Sequence, residues 1–223
     1  MSNMQLDTLR RIVQEINASV SLHDSLDIMV NHVAEAMHVD VCSIYLLDER
    51  NKRYVLMASK GLKPEAVGHV SLNVGEGLVG LVGKREEIVN LDNAQKHERF
   101  AYLPETGEEL FNSFLGVPVM YRRKVMGVLV VQNQEPQDFS EAAESFLVTL
   151  CAQLSGVIAH AHAVGNIDVF RKPTSGSSYK TFQGVSGAGG IALGRAIVLY
   201  PPADLAAIPD REAEDISDEL ELL

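Results

Sequence analysis

Residues able to do covalent or metal chemistry are present in the chain but poorly grouped. Cys42 and Cys151 stand far apart in apolar surroundings. Neither forms a CxxC pair, and neither has the neighbouring histidine and carboxylate that would activate a thiolate. Both read as core thiols, which suits a reducing cytoplasm. A stand-alone enzyme acting through Cys42 would have to lose its activity in Cys42→Ala. The seven histidines are His23, His32, His38, His69, His97, His160 and His162. His160 and His162 are two apart on a helix and so do not share a face. No carboxylate or cysteine completes a ligand set around any of the seven, so no metal is expected. No G-x-S-x-G marks a nucleophilic serine. Gly75-Glu76-Gly77-Leu78-Val79-Gly80 is a literal GxGxxG, a pattern that cradles dinucleotide phosphates when it joins a strand to a long helix. Here only about two helical turns fit before Lys84-Arg85-Glu86-Glu87, while a βαβ unit takes about 30 residues. A structural glycine turn is the expected reading.

A quieter group has the chemistry of a small-molecule pocket. If Cys42, Ile44 and Leu46 pack beneath helices, strand alternation turns Val41, Ser43, Tyr45 and Leu47 to the other face. The next strand is expected to set Val55, Met57 and Ser59 together on one face. A buried hydroxyl without a partner costs about 1–3 kcal/mol, so these polar atoms must meet backbone, water or a ligand. The segment Asp92–Asn112 is long enough to cover that face, bringing Phe100, Tyr102 and Phe111, with Ser113 just beyond. The candidate ligand-binding residues are therefore Ser43, Tyr45, Met57, Ser59, Phe100, Tyr102, Phe111 and Ser113. A mostly apolar pocket with a few hydroxyls is the usual form of such a site. A filled core whose hydroxyls satisfy one another fits the same residues.

The elements that would hold this group follow from periodicity. Leu6, Leu9, Val13, Ile16 and Val20 recur at spacings of three and four, the seam of an amphipathic helix. Ser21 or Asp24 can cap a second helix, whose apolar face is Leu26, Met29, Val30, Val33, Ala34 and Met37. The period then shortens. Val41–Leu47 and Tyr54–Ser59 flank a polar turn and read as a hairpin. Val70–Val74 and Ile88–Leu91 read as strands, Leu78–Val82 as a short helix, and Asp92–Asn112 as loop with a short helix. Ser113–Tyr121 and Val125–Gln132 form a second hairpin, with Pro118 unable to donate to the ladder. A long helix begins near Ser140, with Leu147, Leu150, Leu154, Val157, Ala161 and Val164 along its seam. Helices at both ends and antiparallel hairpins between them define an α+β sandwich. The terminal helix seam, Leu147, Leu150, Leu154, Val157 and Ala161, would serve as monomer core or, paired with a second copy, as a homodimer interface.

Composition and charge narrow the remaining choices. The formal net charge of the 223 residues is −11. Eight acids and one base fall in Ala203–Leu223, so residues 1–202 carry only −4. No Lys/Arg run with interleaved aromatics suggests nucleic-acid contact, and Arg122-Arg123-Lys124 reads as a solvated turn. The longest apolar stretch, Val125–Val131, falls well short of the ~20 residues of a membrane span, and nothing near Met1 has the form of a signal peptide. Residues 165–181 have linker composition. The organisation expected is a sensory domain at 1–164, a linker at 165–181, and the beginning of a second domain at 182–223.

Taken in order, several short motifs resemble those of a GAF domain over about Leu6–Val164. They are Gly75-Glu-Gly77-Leu-Val-Gly80, Asn90-Leu-Asp92, Phe111-Asn-Ser-Phe-Leu-Gly-Val-Pro118, Gly127-Val-Leu, Asn133, and Phe139-Ser-Glu leading into the long helix. Phe182–Gly194 is similar to the opening of the phosphohistidine domain of phosphotransferase-system enzyme I, with Gly189-Gly190 where that family usually has Pro-Gly. Together the two resemble the amino-terminal part of a nitrogen-related phosphoenolpyruvate–protein phosphotransferase. That resemblance implies a GAF-like antiparallel sheet flanked by helices, and a cytoplasmic sensor tuning autophosphorylation. It also implies glutamine or 2-oxoglutarate as effector and an HPr-like phosphocarrier that acts through the rest of the enzyme. Magnesium is implied for the whole enzyme and no cofactor for this chain. The family's phosphorylated histidine lies in a Gly-Gly…His-Ala-Ala context, which none of the seven histidines has, so the chain alone is not expected to catalyse the transfer. Asn133-Gln134 and Phe139-Ser-Glu-Ala-Ala143-Glu144 lack the lysine and aspartate of the cyclic-nucleotide GAF subclass. Two distant cysteines do not supply the redox set of the methionine-sulfoxide-reductase subclass. The reading from another class is a purely structural dimerisation or docking module with a filled core.

Overall fold

The computed structural model describes residues 3–101, 105–106 and 111–163, with side chains described from Asp7 onward. The chain divides into two units, Met1–Lys172 and Pro173–Leu223; everything below concerns the first. The linker and second-domain expectations, and Val164, lie outside the described residues.

Helix α1 spans Asn3–Ala18 and α2 spans Leu22–Met37. Ser21 is the cap between them: its Oγ accepts the Asp24 N–H at 3.1 Å, satisfying one of the free amides of the first turn. The buried face of α2 is Leu26, Met29, Val30, Val33 and Ala34, as its spacing predicts. On α1 the buried positions are Ile12 and Ile16, with Leu9 and Val13 half-buried. Val20 departs from the expected seam. The helix ends at Ala18, and Val20 stands 97% exposed in the turn.

Six strands follow: β1 (Val41–Asp48), β2 (Arg53–Lys60), β3 (Ser71–Asn73), β4 (Val89–Leu91), β5 (Ser113–Tyr121) and β6 (Lys124–Asn133). They make one antiparallel sheet in the order β3-β2-β1-β6-β5-β4. Helix α3 (Gly77–Arg85) lies between β3 and β4, and α4 (Glu141–Ala163) closes the described chain. Pro64–Ala66 and Ala94–Lys96 are single 3-10 turns, the latter being the short helix expected in the loop.

The sheet has a core on each face. Under α1, α2 and α4 pack Cys42, Ile44, Leu46, Leu115, Val117, Leu129 and Val131. On the other face, under α3 and the segment after β4, pack Val41, Tyr45, Tyr54, Leu56, Phe114, Val128 and Val130. Helix α4 has the length and apolarity of a membrane span, with a mean hydropathy of 1.5. Its apolar stripe is used inside the subunit, where Leu147, Leu150 and Leu154 are fully buried and Ala161 is 6% exposed. That placement assigns Leu147, Leu150, Leu154 and Ala161 to the monomer core, one of the two expected roles of the seam. Val157, half-buried against the same core, is the one exception.

Candidate functional site

The glycine turn comes first because it decides against a phosphate loop. Gly75 and Gly77 have φ of +87° and +64°, conformations that glycine adopts without steric cost. A Cβ on Gly80 would lie 2.8 Å from the Gly75 backbone, so the third glycine lets the turn fold back on the helix. The strands on either side are antiparallel members of the sheet, not the parallel pair of a βαβ unit. The motif is a strand-to-helix turn.

The two asparagines of the remaining motifs act as clips. The Asn90 amide donates to Phe139 O and to Glu144 Oε1, both at 2.8 Å, and its Oδ1 accepts the Phe139 N–H at 3.3 Å. It ties β4 to the start of α4. Asn133 Oδ1 accepts the Asp40 N–H at 2.9 Å, while Asp40 Oδ2 accepts the Gln134 N–H at 2.8 Å, joining the end of β6 to the start of β1.

The face of the sheet away from α1, α2 and α4 carries the candidate site. Ser43 and Ser59 meet across β1 and β2, their hydroxyls 2.8 Å apart, and Ser59 also donates to Cys42 O at 3.4 Å. These hydroxyls satisfy each other, as a filled core would require. Tyr45 is 1% exposed on the same face, and Phe111 and the half-buried Phe100 join its apolar cluster. Tyr102 lies outside the described residues. Two of the expected residues point the other way. A bulge between Ile44 and Tyr45 lets Ile44 pair with Ala58 and Tyr45 with Leu56, leaving Met57 as the extra residue. An inserted residue breaks the period-two alternation, so Val55 and Met57 pack on the helix side while Ser59 does not. Ser113 shares the helix-side row with Leu115 and Val117. Its Oγ accepts the Asn133 N–H at 3.1 Å and donates to Asn133 O at 3.5 Å, a strand-end lock.

Sequence reasoning missed two carboxamides. Gln132 is 3% exposed and lies directly across from Val41 and Phe114, so it shares their face. Among the described residues its Oε1 is buried without a hydrogen-bond partner, and so is the Oδ1 of Asn93 in the covering segment. The backbone brings the two regions together: Ala94 N–H bonds to Asn112 O, and Asn112 N–H donates to Asn133 O at 2.9 Å. Each orphan acceptor costs the free protein about 1–3 kcal/mol. The signal for Gln132 was legible as the lone polar side chain continuing the inward row of Val128 and Val130.

Both cysteines are free and buried. Burial pushes both thiols well above their ordinary range, and the nearby Cys151 raises Cys42 further. Burial also raises the Tyr54 hydroxyl, with Glu86 adding to it. Among the described residues no group of three His, Cys, Asp or Glu side chains could hold a metal ion.

A six-stranded antiparallel sheet with α1, α2 and α4 on one face and α3 on the other defines an α+β sandwich domain. The sequence model of the GAF domain matches residues 21–158, and the chain belongs to the GAF domain family. The "Phosphoenolpyruvate-dependent phosphotransferase system" protein of Escherichia coli K12 is 42% identical over 167 residues, covering 75% of this chain and 22% of that protein. The chain thus spans about a fifth of that curated relative. The crystal structure of the GAF domain from an Acinetobacter phosphoenolpyruvate-protein phosphotransferase is 84% identical, with a TM-score of 0.68, over 74% of this chain and 99% of that one. The GAF domain from a phosphoenolpyruvate-protein phosphotransferase of Coxiella burnetii is 43% identical, with a TM-score of 0.71 and the same coverage. The domain described here is a GAF domain of the kind those phosphotransferases carry.

Proposed function

We propose that the domain is the small-molecule sensor of a phosphoenolpyruvate–protein phosphotransferase, binding its effector on the covered face of the sheet. The observation that carries this is the pair of unpartnered acceptors, Gln132 Oε1 and Asn93 Oδ1. An effector that supplies N–H donors removes a cost the free protein bears. Glutamine, with an ammonium and an amide, supplies such donors. 2-Oxoglutarate is fully ionised near neutral pH and offers only acceptors, so it fits this pair poorly. Tyr45, Phe100 and Phe111 supply the apolar walls. Binding would tune autophosphorylation of the whole enzyme and transfer to an HPr-like carrier in nitrogen regulation, and the buried free thiols suit a cytoplasmic setting. Calorimetric titration with glutamine and with 2-oxoglutarate tests the reading. Heat on glutamine addition, lost in Gln132→Leu, is the expected result; flat traces with both at millimolar concentration would remove the sensor role and leave a structural module.

A homodimer remains part of the reading, moved to a different surface. Val20 projects fully exposed beside an open groove of about 620 Å³ formed with Ile16, Leu22, Val157 and Ala161. A two-fold axis that seats each Val20 in the twin's groove gives a self-complementary contact. Light scattering on Val20→Asp should show the monomer mass. An unchanged mass would exclude this contact.

A further inference from the structure

We propose that the tips of the β1–β2 and β5–β6 hairpins together form a basic docking surface for a carboxylate-rich surface of another protein. β1 and β6 are neighbours in the sheet, and their register, Leu46 opposite Gly127, brings both turns to the same end. With strands about 4.8 Å apart, the two hairpin axes are separated by about 10 Å. The tips present Arg50, Lys52, Arg122, Arg123 and Lys124, all exposed. None of these five forms an ion pair among the described residues. The acids nearby are Asp48, already held by Arg53 at 3.2 Å and by Asn51 at 2.7 Å, Glu76, which accepts from Asn73 N–H at 2.9 Å, and the exposed Glu49. The result is a local excess of positive charge on a chain whose net charge is −11.

Backbone conformation adds an independent observation. Lys52, Arg122 and Arg123 have φ of 51°, 47° and 65°. His38 and Glu86, also at positive φ, are helix C-caps, where that geometry recurs. The basic three serve no cap. A two-residue loop with both central φ positive, as at Arg122-Arg123, favours Asn-Gly. Arginine at both positions keeps the charge at the expense of the turn, the pattern expected where strain is retained for a function.

The tips also carry contact groups suited to a protein partner. Arg122 stacks over the half-buried Tyr121 ring at 5.3 Å. Val74, 47% exposed, lies against the β1–β2 turn through its N–H to Lys52 O at 3.0 Å. Arginine and tyrosine at the β5–β6 tip, with Val74 exposed beside the other tip, match the composition of protein interfaces. One tyrosine is too little for the stacked aromatic platform of a single-strand nucleic-acid site.

The variant Arg122→Asn/Arg123→Gly separates charge from folding, because it installs the preferred turn. The test uses the full chain and a fluorescent 20-residue peptide of glutamates with leucines at helical spacing, alongside duplex DNA and phosphatidylglycerol vesicles. The expected result is salt-sensitive peptide binding, weakened at least tenfold in a variant whose melting temperature equals or exceeds that of the parent. No peptide binding, equal binding by the variant, or tighter binding of DNA or vesicles would overturn the proposal.

Discussion

Gln132→Leu replaces a buried amide by an apolar side chain of similar volume, between Val41 and Phe114 and next to Val130 in its inward row. Among the described residues the amide carbonyl has no partner, so its removal recovers a desolvation penalty of about 1–3 kcal/mol. At roughly 2–4 °C per kcal/mol for a chain of this size, the melting temperature should rise by about 2–12 °C. The effect on glutamine has the opposite sign. Losing a hydrogen bond from a charged donor costs about 1.5–3 kcal/mol, which weakens binding roughly 10- to 160-fold. The assay is thermal unfolding of both proteins with and without glutamine, since a ligand that binds only the native state raises the transition by mass action. Parent and variant should exchange rank: the variant melts higher alone, and the parent gains more on saturation. A variant that melts several degrees lower without ligand would refute the reasoning, because the amide would then be satisfied in the free state.

Three further outcomes follow from individual contacts. Gly83→Ala drives a methyl group into the ring and hydroxyl of Tyr54, itself 1% exposed and unable to swing away; a loss of about 1–3 kcal/mol is expected by urea unfolding. Asn90→Ala breaks three hydrogen bonds between β4 and α4 and should cost about 2–4 kcal/mol at roughly 1 kcal/mol each, with hydrogen exchange speeding first in the opening turn of α4. Burial alone would raise the Asp48 carboxyl, but hydrogen bonds from Asn51 and Arg53 outweigh it and hold the group below its ordinary value. A depressed carboxyl contributes stability above its unfolded pKa of about 4 and loses it as the pH falls through the folded value. Asp48→Asn should therefore flatten the decline of stability on acidification below about pH 4, and an unchanged slope would show that the carboxylate contributes nothing.

Much of the fold was legible because periodicity reports which side of an element meets apolar surface. The caps, hairpins and α2 face followed directly from spacing and turn residues. What spacing does not report is which surface lies opposite. The seam of α4 reads identically whether a sheet or a second helix covers it, and here β5 does so. The candidate site was half legible for a related reason. Ser43, Tyr45 and Ser59 fall on the expected face, but the extra residue at Met57 leaves no local mark in a run of apolar side chains. Ser113 closes a strand end through the backbone of Asn133, a contact between residues 20 apart in sequence. Gln132 continues the inward row of Val128 and Val130 by alternation alone, but a strand end that turns polar masks that signal until the pairing with Val41 and Phe114 fixes its face.

The two strands at the margins of the sheet, β3 and β4, are three residues each, against eight to ten in the four between them. β4 reaches along β5 only from Phe114 to Gly116, so among the described residues the rest of β5 borders no strand on that side. Pro118 stands in that bare stretch with no amide hydrogen to lend, and the irregularity at Val119/Met120 bends the rail just beyond it. A foreign strand arriving there finds a broken template, which discourages the edge-to-edge stacking that precedes fibre growth.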